Sequence, residues 1–139
     1  MTAADAGLLD NLAVGVFDDP LDRDATTELL SDDRHHLVIA MDEGLVVGFT
    51  SAVHHVHPDK PRPELWINEV GVAPSHQKRG IAKAMMSALL ERGAQSGCKE
   101  AWVLTDRGNL AAMRLYRASG GIVDRTDQVM FSFALDDKT

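Results

Sequence analysis

The chain has 139 residues, 45% of them hydrophobic and 25% charged, and a formal net charge of −7. That length supports one hydrophobic core and not two, and no apolar run is long enough to cross a bilayer, so a single cytoplasmic domain over residues 1–139 is expected. The acidic balance argues against nucleic acid as a partner, and a lone cysteine cannot build a disulfide scaffold.

Met1-Thr2-Ala3-Ala4-Asp5 lacks the basic and apolar regions of a signal peptide. Residues 5–16 read as a helix with Leu8, Leu9, Leu12 and Val16 on one face, and residues 24–31 as a second, short one. The acidic residues Asp10, Asp18, Asp19, Asp22, Asp24, Glu28, Asp32 and Asp33 concentrate here. They suit a solvated surface, or the mouth of a site for a cationic amine. Residues 36–41 and 45–55 are β-rich runs joined by Asp42-Glu43-Gly44, an antiparallel hairpin. A proline-punctuated loop at 58–63 leads to a strand at 65–72. Ile81, Ala84, Met85, Ala88 and Leu89 follow at helical spacing, and Gly97 stops that helix. Residues 100–105 form the next strand, Asn109 caps a helix ended by Gly120, and residues 129–135 close the sheet. Cys98, between Gly97 and that strand, reads as a buried small hydrophobe.

The segment Gln77-Lys78-Arg79-Gly80-Ile81-Ala82 lies between a strand and a helix start. A helix N-terminus offers unpaired N–H groups and the positive end of its dipole, Gly80 lets an anion approach the backbone, and Lys78, Arg79 and Lys83 add charge. A phosphate fits there. The pattern Gln77-x-x-Gly80-x-Ala82, followed by Asn109-x-x-Ala112-x-x-Leu115-Tyr116-x-x-x-Gly120, resembles the GNAT superfamily of acetyl-CoA-dependent N-acetyltransferases. Within it, residues 46–72 are similar to the 3-N type of aminoglycoside acetyltransferase.

The resemblance implies an α+β GNAT fold: a mixed, mostly antiparallel sheet flanked by helices, here with the first strand missing or trimmed. It implies that residues 65–72 pair through their backbone with pantetheine, so Val70, Gly71 and Val72, with Gln77 to Lys83, Asn109 and Ala112, become the acetyl-CoA contacts. Gly71 suits a bulge or a close backbone approach, or merely avoids a packing clash. Asn109 serves equally as a plain cap. Glu69 is the one charged residue inside the strand, where a buried carboxylate is costly unless paired or used, and it is the candidate general base, with a salt bridge to an arginine or a solvent-facing strand end as the plain alternative. Tyr116 stands where the superfamily places its general acid, the plain alternative being a core tyrosine with its hydroxyl at the surface.

His54, His55 and His57 invite a metal reading, since alternate strand residues share a face, but no matching cysteine or carboxylate is evident and no metal is expected. His35 is expected at the surface, and His36, Trp66 and Trp102 in the core. Without a nucleophilic cysteine or serine, direct acetyl transfer to a primary amine of a small cationic acceptor is the leading expectation. A peptide or protein amine is the second, and a CoA-binding regulatory module without turnover is the third. No membrane or nucleic-acid partner is expected, and a homodimer is left open.

Overall fold

The computed structural model describes residues 1–123 and 127–136. Among the described residues four strands form one mixed sheet in the order β1-β2-β3-β4: β1 (His35–Asp42), β2 (Leu45–His55), β3 (Glu64–Val72) and β4 (Glu100–Val103). The first three are antiparallel neighbours, and β4 runs parallel to β3. Glu43 and Gly44 both take positive φ, the two-residue turn whose twist matches a hairpin.

One face of the sheet is covered by the N-terminal segment and α1 (Arg23–Ser31), which starts at Asp22, whose carboxylate accepts from Ala25 N at 2.8 Å. Leu9, Val16, Leu30, Leu37, Val46 and Phe49 are buried there, and Phe17 stacks on Phe49 at 4.1 Å. On the other face α2 (Ile81–Gln95) and α3 (Leu110–Ala118) pack over Ala52, Leu65, Ile67, Met86, Leu89 and Cys98. Leu65 and Leu89 are fully buried, so truncating either to alanine removes about 2–5 kcal/mol. Among the described residues, no helix is long and apolar enough to cross a membrane.

Two expected elements differ. The helix expected over 5–16 is a 3-10 helix at Ala3–Asp10. Beyond it Ala13 N donates to Val46 O and Val46 N to Asn11 O, both at 2.8 Å, so pairing with β2 takes the backbone groups a longer helix would need. The strand expected over 129–135 is not formed. Its alternation gives it an apolar face, yet a strand exists only through a ladder, and β4 stops at Val103 without one to it. Phe131 and Phe133 are 78% and 81% exposed.

Candidate active site

Between β3 and β4 the sheet forks. The two strands pair only from Glu64 to Ile67 against Glu100 to Val103, whereas on its other side β3 stays paired with β2 as far as Val72. From Asn68 onward, one edge of the β3 backbone therefore has no partner strand among the described residues. Such an edge is where an extended amide-bearing chain adds as a further strand. Val70, Gly71 and Val72 all lie along it.

The bulge in β3 falls at Asn68, between the pairs Ser51–Glu69 and Ala52–Ile67, and not at Gly71. Gly71 has a different cause. A Cβ there would lie 2.7 Å from Phe49 Cε1 and 2.8 Å from Val16 O, distances that packing does not tolerate. Avoidance of a packing clash, the plain alternative for this residue, is what the structure shows.

After β3 the chain turns through a 3-10 helix at Pro74–His76. Ser75 Oγ and His76 Nδ1 share a hydrogen bond of 2.7 Å, and His76 Nε2 and Asp42 Oδ2 one of 2.8 Å, fastening this lead-in to the end of β1. Gln77 Nε2 donates to Val72 O at 3.2 Å, so the side chain that opens the motif ties the loop to the end of the free edge. Lys78 and Gly80 adopt φ of 64° and 78°. Gly80 is the N-cap of α2 and supplies no side-chain acceptor, which leaves the first N–H groups of the helix unpaired. A Cβ at Gly80 would meet nothing within 4 Å. Space is thus open in front of Ile81, Ala82 and Lys83, with Lys78, Arg79 and Lys83 exposed around it. Dipole, free donors and charge all favour an anion.

Glu69 is exposed, which corrects the expectation of a buried carboxylate. It lines a cleft of about 240 Å³ with Val16, Asp18, Phe49, Asn68, Val70 and Gly71. The bulge accounts for this: the extra residue interrupts the ladder where β3 leaves β4. Thr50 Oγ1 donates to Glu69 O at 2.8 Å and holds the backbone there. Phe49 and Asn68 escaped the sequence argument because the fold alone brings them to Glu69, whereas Asp18 is one of the acidic residues weighed for the mouth of a cationic-amine site.

Tyr116 is on α3 and half-buried, and Val70, Val103, Leu115 and Tyr116 all pack against the cluster beneath α2. Burial raises its phenol pKa above the ordinary value. Asn109 is the observed N-cap of α3, its Oδ1 accepting from Ala112 N at 3.1 Å, so the Ala112 amide is already engaged. His35 is exposed and His36 buried, as expected. Cys98 is a buried free thiol whose pKa burial pushes up, unlike a nucleophile. Trp66 and Trp102 are half-buried and lie against each other, ring centroids 3.6 Å apart, at the closed end of the fork and not in the core.

Residues 8–120 match the family model described as the acetyltransferase (GNAT) family. The chain is 30% identical over 107 residues to aminoglycoside N(6')-acetyltransferase type 1 of Salmonella typhimurium, covering 75% of this chain and 72% of that one. It is 33% identical over 122 residues to the N-alpha-acetyltransferase RimI of Mycobacterium tuberculosis, covering 86% and 74%. Among solved structures, AAC(6')-Iy in complex with the bisubstrate analogue CoA-S-monomethyl-acetylneamine superposes with a TM-score of 0.75 at 25% identity, covering 96% of this chain and 94% of that one. These aminoglycoside enzymes are of the 6' type, not the 3-N type that residues 46–72 resemble. With a forked sheet, an anion-ready helix start and a family match over most of its length, the chain belongs to the acetyltransferase (GNAT) family and is an acetyl-CoA-dependent N-acetyltransferase.

Proposed function

We propose that this enzyme transfers the acetyl group of acetyl-CoA directly to a primary amine of a small cationic acceptor, in the cytoplasm. One observation carries the reading: the cleft holding Glu69 and Asp18 lies beside the stretch of β3 whose outer edge is free. Pantetheine pairs with that edge through Val70 to Val72, and Asn109 offers its remaining amide donors to it. The pyrophosphate lies against Gln77 to Lys83. Two carboxylates at the cleft, on a protein of net charge −7, attract a cation.

The chemistry follows from the charges that develop. An alkylammonium of pKa near 10 is about one part in a thousand free base at neutral pH, so it must lose a proton before attack, and Glu69 takes it directly or through water. The free amine then attacks the thioester carbonyl. A backbone N–H from the open edge of β3 stabilises the oxyanion. As the carbon–sulfur bond breaks, Tyr116 gives its proton to the thiolate and recovers one from the nitrogen, leaving an amide and the CoA thiol. The sole cysteine is buried, which supports direct transfer over an acyl-enzyme.

A second reading, acetylation of a peptide or protein N-terminus, is favoured by the 33% identity to RimI over 86% of the chain. Thiol release from acetyl-CoA, measured with an aminoglycoside, a polyamine and a short free-N-terminal peptide, separates them. Turnover of the small cations is expected. Turnover confined to the peptide would establish the second reading, and acetyl-CoA binding without turnover on any amine would indicate a regulatory binding module.

A further inference from the structure

At the end of β3 away from the anion loop, three ligand-type side chains meet across the β2–β3 connection. His55, the last residue of β2, lies opposite Glu64, the first of β3, and His57 follows two residues later. Each offers a ligand atom within 4.8 Å of the other two. The carboxylate that the sequence did not reveal is Glu64, seven residues beyond His57 and brought to it by the strand register.

The geometry at His57 asks for an occupant. Its Nε2 is closed to solvent and makes no hydrogen bond, and it lies 3.5 Å from Glu64 Oε1. Leaving such a buried polar atom unpaired costs about 1–3 kcal/mol. Two donors bound to one tetrahedral zinc at about 2.0–2.2 Å stand about 3.3–3.5 Å apart, so this pair already has the spacing that a shared ion imposes. The rings of His55 and His57 meet edge to face at 4.9 Å, which sets the first beside the same point. Trp102 Nε1 donates to Glu64 Oε2 at 3.3 Å, the kind of outer contact that orients a ligating carboxylate.

We infer that His55, His57 and Glu64 form a binding site for a divalent transition-metal ion, best suited to zinc, that clamps the β2–β3 loop to the sheet. Two imidazoles and one carboxylate suit zinc, with a fourth position for water, whereas calcium and magnesium require oxygen ligands. Lys60 Nζ contacts Glu64 Oε1 at 2.9 Å, and its side chain is half exposed. Such a surface pair is worth at most about 1 kcal/mol, so the ammonium is a weak competitor that an incoming ion displaces. Glu64 and Glu69 are five residues apart in an extended strand, about 17 Å, which separates the clamp from the acetyl chemistry.

The test is titration of tag-free, chelator-treated protein with Zn²⁺ by calorimetry, and with Ni²⁺ by quenching of the two tryptophans, one of which touches Glu64. One equivalent is expected to bind, with millimolar Mg²⁺ unable to compete. His57→Ala and Glu64→Gln should each weaken binding by about 30-fold or more, since loss of a ligand exceeds the 10- to 100-fold range of supporting contacts at its lower end. Lys60→Gln should not weaken binding and should tighten it by at most about 5-fold, the upper worth of the ion pair it removes. His76→Gln, at the Asp42 contact, should change nothing. Absence of stoichiometric Zn²⁺ binding, or wild-type affinity in folded His57→Ala, would overturn the assignment. Should His57→Ala not fold, Glu64→Gln decides in its place, and wild-type affinity in folded Glu64→Gln overturns it.

Discussion

Glu69 and Tyr116 sit in opposite environments, one exposed and one half-buried, and each makes a separate prediction. Glu69 is exposed at a bulge, so Glu69→Gln changes charge with little effect on the strand. If its carboxylate removes the amine proton, kcat/KM falls by about 100-fold near neutral pH, and the deficit shrinks as pH rises towards 10 because more acceptor arrives deprotonated. A ratio to wild type that stays constant from about pH 6 to 10 would exclude the base role. Tyr116, half-buried with its pKa raised by desolvation, stays protonated through the neutral range. Tyr116→Phe should lower kcat by roughly 10- to 1,000-fold while acetyl-CoA affinity is kept. Wild-type turnover in that variant would leave Tyr116 a packing residue.

The loop from Gln77 to Gly80 and the start of α2 act as a unit, and Gly80 reports on it in two ways. Any other residue there is strained by about 1–2 kcal/mol at φ 78°, yet a Cβ meets nothing within 4 Å. Gly80→Ala should therefore bind acetyl-CoA only slightly more weakly, whereas Gly80→Glu, which sets a carboxylate against the pyrophosphate, should lose binding altogether in a folded protein. Calorimetry on both variants separates strain from charge, and equal losses would remove the anion from this loop. This loop was legible in the sequence because its chemistry is local: a glycine, a helix start and adjacent cations. The hairpin at Glu43 and Gly44 and the Asn109 cap were legible for the same reason. What was not legible depends on pairing between distant segments. Val46 drew Asn11 and Ala13 out of a helix, no ladder reached residues 129–135, the bulge at Asn68 exposed Glu69, and register brought Glu64 to His57.

At the scale of the whole molecule, stability should depend on pH through a buried histidine pair on the α2 side of the sheet. His36 Nε2 and His54 Nδ1 share a hydrogen bond of 2.8 Å, and His36 is only 4% exposed. Burial first, then the charge of His54 and of Arg92, lowers the His36 pKa to about 4 from an ordinary 6.5. The folded state thus holds His36 neutral where the unfolded chain would protonate it. Between about pH 6.5 and 4 the unfolded state binds the extra proton, so stability is fully present above the upper value and is lost as pH falls through the window, by roughly 3 kcal/mol at most. Asp32, held below its usual range by Arg34, acts in the same direction but below pH 4, so the two effects separate. Urea unfolding of wild type and His36→Gln from pH 7.5 to 4.5 measures the difference. The variant should lose markedly less stability across the window, and parallel curves for the two proteins would mean that acid destabilisation originates elsewhere in the fold.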